Sequence, residues 1–437
     1  MTRLGLAMCS SLLVLAALPA RAQVTPPQLA PSSASPNAAL EDLPAGEVYT
    51  LDDALRAMRE QHPLLKSALY TVSAAKADRV QAKLWSNPSL AGQYIYGVRH
   101  QSYDHAGYVS YGVSQFLELA NAPGARGRAA ELTVLAARAD YDALLLQMSL
   151  DVQSSLVSLV AARRKVELTK LAAELLDHVA TVIAQRVNAG ASPRYDSARI
   201  AVTQAQAHAD HSSARADRAR AEGELRAAVG PGAAALHGEP TYPLELAPTL
   251  PTPDQLLEFL TTRRPDFEAA RQRAASARAS VLAARREVWP GVGVNVNGGF
   301  GAGPQQVDVG VGLTVPLPVI DRGQGSVTAA QQRALEASAY LDGVIAPARE
   351  LVKGVHAEVI ARRHALEHYL ARAVASGDEM LVEAQAGYLA GRFSVLELAD
   401  AYGAWRDARL RAVDLAASAR QSEIDLARAV GVRLSAP

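Results

Sequence analysis

The chain has a single cysteine among its 437 residues, Cys9, near the N-terminus. A disulfide framework and thiolate chemistry are therefore excluded for everything that follows it. Charge of one sign is also lacking: 44 basic residues balance 44 acidic ones, which removes the electrostatic case for nucleic acid or an anionic surface as partner. Long apolar runs are missing beyond the first 18 residues. The best later stretch, 143–160, is broken by Gln147, Asp151 and Gln153, and this argues against a membrane-spanning helix. Any crossing of a bilayer then falls to β-strands closed into a barrel, the other structure that satisfies its backbone in hydrocarbon. Aromatic residues are few, 22 in all, so where they cluster is informative.

The N-terminus carries a processing signal. Arg3 precedes an apolar stretch from Leu4 to Leu18, and Ala20-Arg21-Ala22 forms an A-x-A cleavage site, so residues 1–22 read as a signal peptide for export. A lipoprotein reading of Leu6-Ala7-Met8-Cys9 is disfavoured by the bulk of Met8 and the short apolar run before it. Residues 23–46, rich in Pro, Ser and Ala, read as a flexible tether.

Beyond the tether the chain is written twice. Pro63 and Pro88 recur as Pro265 and Pro290, and Gly190 and Gly230 recur as Gly391 and Gly431. Landmarks in register over so long a period require several elements in each copy, unlike a solenoid repeat. The first copy spans 47–230, a connector 231–252, the second copy 253–431, and a tail 432–437.

Each copy reads helix, β-hairpin, long helix, helix. In the first, Thr50 can cap a helix from Leu51 to Lys83 that Asn87-Pro88 stops; a hairpin follows over about 88–119. In the second, Thr252-Pro253-Asp254-Gln255 forms a capping box with proline at the first helical position. That helix runs to Val288 and stops at Trp289-Pro290, before a hairpin over about 290–318. Between Gly127 and Asn188 there is neither proline nor glycine, and Leu145, Val152, Leu159 and Val166 recur at heptad spacing. This predicts one helix over about 125–188, roughly 90 Å long. It turns at Asn188-Ala189-Gly190, and Ser192 with Pro193 opens a helix over about 192–229. The counterparts are a helix over about 326–389, with a bend expected at Pro347, a turn at Ala390-Gly391, and a helix over about 394–430 opened by the box Ser394 to Glu397.

The hairpins change period from 3.6 to 2. Leu90, Gly92, Tyr94, Tyr96 and Val98 alternate with more polar neighbours, as do Val109, Tyr111 and Val113; so do Val292, Val294 and Val296, and Val307 through Val315 at every second position. Tyr94, Tyr96, Tyr103, Tyr108, Tyr111 and Phe116 cluster as an interfacial aromatic girdle would require. Alternation alone fits a soluble sheet with one buried face equally well. The long helices decide the matter, since helices of that length do not belong inside a compact domain. Four strands cannot close a barrel, for which about eight is the smallest workable number, so the chain must self-associate to cross a membrane.

Paired hairpins and paired long helices in a duplicated, exported chain resemble the outer-membrane efflux protein (TolC-like) family. The resemblance covers 51–431 and is carried by Asn87-Pro88, Trp289-Pro290, Ala386-Gly387-Tyr388-x-x-Gly391, and Val315-Pro316-Leu317-Pro318-Val319-Ile320-Asp321-Arg322-Gly323-Gln324-Gly325. It implies a mainly α fold with β, a TolC-like channel-tunnel. A homotrimer closes a twelve-strand barrel in outer-membrane lipid and a twelve-helix periplasmic tunnel that meets an adaptor protein and an inner-membrane pump. The Pro-Leu-Pro-x-x-Asp-Arg-Gly-Gln-Gly run and Glu118-Leu119 look most like the heavy-metal branch, which serves resistance-nodulation-division pumps of cobalt-zinc-cadmium or copper-silver type. Ala120 to Arg126 departs from that branch in lacking the lysine that follows Glu-Leu in many relatives, which keeps a duct for drugs or other small molecules as the alternative cargo.

The resemblance further implies where function sits. The turns at Gly190 and Gly391, with Ser192, Tyr388, Phe393 and Ser394, would form the periplasmic tip and adaptor contact. Glu397 and Asp400, one helical turn apart, match the family's acidic constriction, with Asp196 as the first-copy counterpart of Glu397. The competing role for Glu397 is completion of its capping box. No cofactor or metal site is expected: His208 with His211 and His364 with His368 have helical spacing but no third ligand nearby, and His100, Asp104 and His105 fall around a hairpin loop. The glycines of 298–303 superficially resemble a phosphate-binding loop but sit between two strands, as a hairpin loop would. No nucleophile with base and acid appears at informative spacing, which argues against an enzyme. A periplasmic coiled-coil adaptor or scaffold fits the heptads, though not the placing of the strands in two hairpins between helices.

Overall fold

The computed structural model describes residues 48–97, 106–246, 249–301 and 307–433. The signal peptide, the tether, Val98, His100, Tyr103, Asp104, His105, Ala302, Gly303 and positions 434–437 lie outside the described residues. Copy one comprises β1 (Val48–Tyr49), α1 (Leu51–Gln61), α2 (Pro63–Ala82), β2 (Ser89–Gly97), β3 (Ala106–Leu117), α3 (Ala122–Asn188) and α4 (Arg194–Val229). A 3-10 turn (Gly230–Ala235) and β4 (Glu239–Pro240) lead onward. Copy two comprises α5 (Pro253–Thr262), α6 (Pro265–Glu287), β5 (Val292–Gly301), β6 (Val307–Thr314), α7 (Gln324–Tyr369), a π-helical turn (Leu370–Val374), α8 (Ala375–Leu389) and α9 (Val395–Val430).

Both opening helices, expected to run unbroken over 51–83 and 253–288, are split in two. Pro63 and Pro265 lack the N–H that a continuing helix needs and hold the preceding residues extended, His62 at ψ 125 and Arg264 at ψ 115. His62 turns the break into a start, its Nδ1 accepting from the Leu64 N–H at 3.2 Å. Both preceding residues also pack on the glycine that ends their own copy. The His62 ring lies on Gly230 and the Arg264 side chain on Gly431, whose φ values of +74 and +78 and crowded Cβ positions admit little but glycine. The second long helix runs through Pro347 without a break in its assignment, and a π-helical turn not expected from the sequence interrupts it further on, with Leu370 and Val374 buried.

Of two related cores, the first joins the copies and the second lies within copy two. Leu55, Met58, Leu65, Leu225 and Val229 pack around Leu156 and Ile424. In copy two Leu256, Leu260, Phe267, Leu426 and Val430 pack around Val352 and Val359. Each such side chain contributes about 1.5–3 kcal/mol when fully buried. The connector is pinned by a polar network: the Tyr242 hydroxyl accepts from Gln153 Nε2 at 2.6 Å and Arg420 Nη2 at 2.7 Å, and Arg420 pairs with Glu423, which also holds Arg363 at 3.0 Å. The α3 helix is long and apolar enough over one stretch to cross a bilayer by length and composition, which corrects the sequence argument against any such helix. Packing accounts for that stretch, of which 44% is buried, with Leu150, Val152, Leu156 and Val160 inside the first core.

The hairpins join into one antiparallel sheet in the order β2-β3-β5-β6. Its register sorts most side chains by polarity, with Ile95, Tyr108 and Phe116 on the mainly polar face and Gln115 on the mainly apolar one. One face carries Leu90, Tyr94, Val113, Tyr111, Val296, Phe300 and the valines of β6, many of them more than half exposed. The other carries Ser89, Gln93, Ser110, Ser114, Asn295, Asn297 and a floor of glycines. Gly298–Gly301, expected as a loop, are strand residues paired with β3 from Tyr111 to Tyr108, and the Tyr108 ring occupies the space above Gly299 and Gly301. Strands and helices connect in the same lateral order, since α2 feeds β2, β3 feeds α3, α6 feeds β5 and β6 feeds α7, while α3 packs on both α2 and α6 and α6 on α7. The Pro316 to Gly325 run makes the last of these junctions. Asp321 Oδ1 accepts from the Gly323 N–H at 2.8 Å, and Gly323 at φ +67 opens α7.

The buried network yields a stability prediction. Glu423→Ala leaves Arg420, 5% exposed, without its partner and should cost about 3–5 kcal/mol, read as a lowered thermal midpoint of the purified protein. Replacing both members by uncharged side chains of similar size should recover much of that loss; equal midpoints for wild type and the single variant would refute the role.

Candidate functional site

The two helical turns have the same backbone pattern. In the first, the N–H groups of Ala189, Gly190 and Ala191 donate to Gln185, Val187 and Arg186 carbonyls; in the second, those of Ala390, Gly391 and Arg392 donate to Ala386, Tyr388 and Gly387. Gly190 and Gly391 sit at φ +72 and +71, exposed and with open space around them. They close the helices in the manner of a Schellman motif. The following helices start differently. Ser394 caps α9, but Ser192 does not cap α4, because Pro193 itself occupies the N-cap position and offers no side-chain acceptor. Tyr388 is buried under Arg186, whose guanidinium lies 5.3 Å from the ring centroid, and Phe393 packs on Gly387. The ends of α3 and α8 are thereby brought together. The Tyr388 hydroxyl has no hydrogen-bond partner among the described residues.

Glu397 does complete its box: its Oε2 accepts from the Ser394 N–H at 2.6 Å, and its own N–H donates to Ser394 Oγ at 3.3 Å. The Ser394 backbone N–H, then its hydroxyl, hold the Glu397 carboxyl below the usual glutamate range. Asp400 lies one turn further along α9, and both side chains are exposed. Asp196 occupies the first turn of α4, half-buried. The histidine pairs separate. His208 Nε2 contacts Asp177 at 2.8 Å, whereas His211 Nδ1 faces Thr169 at 3.3 Å, and His364 lies 3.8 Å from Glu367. Among the described residues no group of three His, Cys, Asp or Glu gathers as a metal-ligand set.

The interactions that hold the tip helices were not read from the sequence. Asp177 on α3 accepts from Gln204 Nε2 at 2.7 Å and His208 on α4; Asp378 on α8 accepts from Trp405 Nε1 at 2.9 Å and Arg409 Nη2 at 2.7 Å on α9. All three positions correspond between the copies, so one carboxylate pin has been written twice with different donors. Gln204, then His208, hold the Asp177 carboxyl below its ordinary value. Gln385 adds a second tie on α8, donating to the Tyr402 hydroxyl at 2.9 Å, while burial pushes that phenol up. The two helical pairs are also tied to each other: Arg406 of α9 meets Asp210 of α4 at 2.9 Å, Lys165 of α3 meets Asp414 of α9 at 2.5 Å, and Val413 of α9 packs with Ala161 and Leu168 of α3. The signal for the pins was available, since Asp177 and Asp378 fall at the same repeat offset as the turn glycines.

The arrangement is that of a conduit: a sheet with one apolar and one polar face, continuous with paired helices whose tips carry acidic side chains. A family model described as outer membrane efflux protein matches residues 54–231 and 256–432. The cobalt-zinc-cadmium resistance protein CzcC of Cupriavidus metallidurans is 25% identical over 384 residues, or 87% of this chain and 90% of that protein. The outer membrane channel CmeC of Campylobacter jejuni superposes with a TM-score of 0.72 at 17% identity, over 87% of this chain and 85% of that one. A membrane protein of Pseudomonas aeruginosa superposes at 0.73 with 22% identity, over 87% and 90%. With a channel-tunnel fold and both copies matched over nearly their whole length, the chain belongs to the outer membrane efflux protein family.

Proposed function

We propose that three copies of this chain form the outer-membrane duct of a tripartite efflux system, passively exporting heavy-metal cations that an inner-membrane resistance-nodulation-division pump drives through a periplasmic adaptor. The observation that carries the assembly is the open pair of edges. Among the described residues the backbone of β2 and β6 has no strand partner on its outer side, and the helices continuing those strands leave Leu69 and Tyr70 on α2, and Leu335 and Tyr340 on α7, exposed. In hydrocarbon an unpaired edge is prohibitively costly, and an antiparallel β6-to-β2 contact between copies removes it. Two copies would give eight strands, whose interior fills with side chains; three give twelve and leave a lumen.

The cargo reading rests on the likeness to CzcC and on the exposed acidic turn of α9. In a trimer, Glu397 and Asp400 would stand as rings at the tunnel entrance, where they would favour cations. The tip turns around Gly190 and Gly391, with Ser192, Tyr388, Phe393 and Ser394, are the adaptor contact in this reading. The two pins differ in shelter, since Arg409 and Asp378 are mostly buried whereas His208 and Asp177 are about half exposed. The Arg406–Asp210 tie is one of several links between the pairs that opening of the tunnel would have to loosen.

Tests follow directly. The full-length protein should require detergent for extraction and sediment as a trimer; a monomer in detergent would sink the assembly. Loss of the gene should sensitise cells to zinc, cobalt or cadmium salts, and sensitivity to hydrophobic drugs alone would redirect the cargo. In planar bilayers, Glu397→Gln with Asp400→Asn should lower the cation-to-anion permeability ratio, and an unchanged ratio would remove both from the gate. With Asp400→Asn alone, the selectivity due to Glu397 should persist below about pH 4.3, the ordinary glutamate value, because a depressed pKa keeps the carboxylate charged as pH falls. Arg406→Ala should raise single-channel conductance without altering ion preference; unaltered conductance would show that the interpair tie does not restrain opening.

A further inference from the structure

Asp308 is the one charged side chain on the four strands β2, β3, β5 and β6 of the larger sheet. It is the second residue of β6, at the end of the sheet remote from the helices, about 20 Å from Thr314 at 3.3 Å per residue. The register settles its face: Asp308 stands opposite Gly299, Gly299 opposite Ser110, and Ser110 opposite Gln93, all on the polar side. It is exposed and has no ion-pair partner among the described residues. The Tyr108 ring lies over Gly299 on one side of it, while Gly310, the next residue on the same face of β6, has open space above it. The segment 302–306 that precedes it contains no charged residue, and the other charged hairpin residues, Arg99 and Asp104, fall in 98–105, outside the described residues.

We infer that Asp308 is a specificity-determining residue of the duct, a fixed negative charge near its outer mouth that favours hydrated cations over anions at the exit. This rests on the trimeric barrel proposed above, in which the polar face lines the lumen. The rest of the described lumen surface is hydroxyl, amide, glycine and a few apolar or aromatic side chains and has no net preference for either sign, so a lone unpaired carboxylate per copy dominates the local field. Lumen substitutions tune selectivity in barrels of this kind, and rings of carboxylates favour cations without needing a tight ligand set. The effect should be greatest at low ionic strength, where the screening length is about 30 Å at 0.01 M, and should fade at 1 M.

The test uses the full-length trimer in planar bilayers under a potassium chloride gradient. Asp308→Asn, nearly isosteric, should reduce the cation-to-anion permeability ratio about twofold or more at low salt, whereas Asp308→Glu should retain it. Because Cys9 is the only natural cysteine and lies in the expected signal peptide, Asp308→Cys provides a single addressable thiol. A cationic methanethiosulfonate reagent added on the extracellular side should then lower the cation preference in up to three steps, one per copy. A wild-type reversal potential for Asp308→Asn, or no reaction of Asp308→Cys from outside, would overturn the inference while leaving the duct intact. A wild-type protein that forms no channel would overturn the duct itself, and this inference with it.

Discussion

The constraint on which the rest depends is the open edge. A sheet of four strands with one apolar face has two rows of backbone N–H and C=O groups that no described strand of the chain pairs with, and in hydrocarbon no water would satisfy them. The same constraint is written into the helices, because each strand continues directly into a helix and the lateral order is kept. Edge strands thus imply edge helices, and the apolar side chains left on α2 and α7 are the helical form of the same unmet demand. In the proposed membrane setting, assembly would therefore be a condition of the fold, and both kinds of edge would be met by another copy.

Duplication answers that demand economically, and divergence between the copies then separates their roles. The turns at Gly190 and Gly391 keep the same hydrogen bonds, and the Asp177 and Asp378 pins keep the same positions. What changes is the donor. Arg409 holds its carboxylate with a guanidinium, reinforced by the Trp405 indole, whereas in the first pair His208 offers an imidazole and Gln204 a neutral amide. Tyr388 and Phe393 likewise belong only to the second turn, where Val187 and Ser192 stand in the first. Six units around an axis would thus alternate between two kinds of helical pair, and the second is the more firmly held.

Much of this was legible in the sequence, for identifiable reasons. Strand entries, tip turns and the Thr252 and Ser394 boxes are local motifs whose chemistry is complete within a few residues. Failures came where a local signal was overridden or was not local. Pro63 and Pro265 served as repeat landmarks, yet the helical periodicity running through them concealed that each ends one helix and begins another. The glycines from Gly298 to Gly301 read as a loop because their strand character comes from pairing with β3 and from the Tyr108 ring, which sequence spacing does not reveal. Ser192 looked like a cap because serine usually is one, but the proline after it took the position. The pins join side chains on different helices, and only an alignment of the two copies with each other could have suggested them.

The chemistry of the path explains why no ligand set was needed. A conduit must let its cargo leave as readily as it enters, so weak, screened charges serve better than the converging donors of a metal site. The described sheet accordingly keeps its polar face almost neutral, with Ser89 and Ser114 hydroxyls paired across strands at 2.7 Å and Asn297 donating to Asn295 at 3.1 Å. Those groups satisfy one another and leave little to bind an ion in transit. Charge appears instead at the two ends, in the exposed first turns of α9 and at Asp308. If the proposed cation duct holds, a cation on this path would meet attraction at the ends and indifference between them, a division that the alternating pleat of the sheet and the capped start of a helix are each suited to supply.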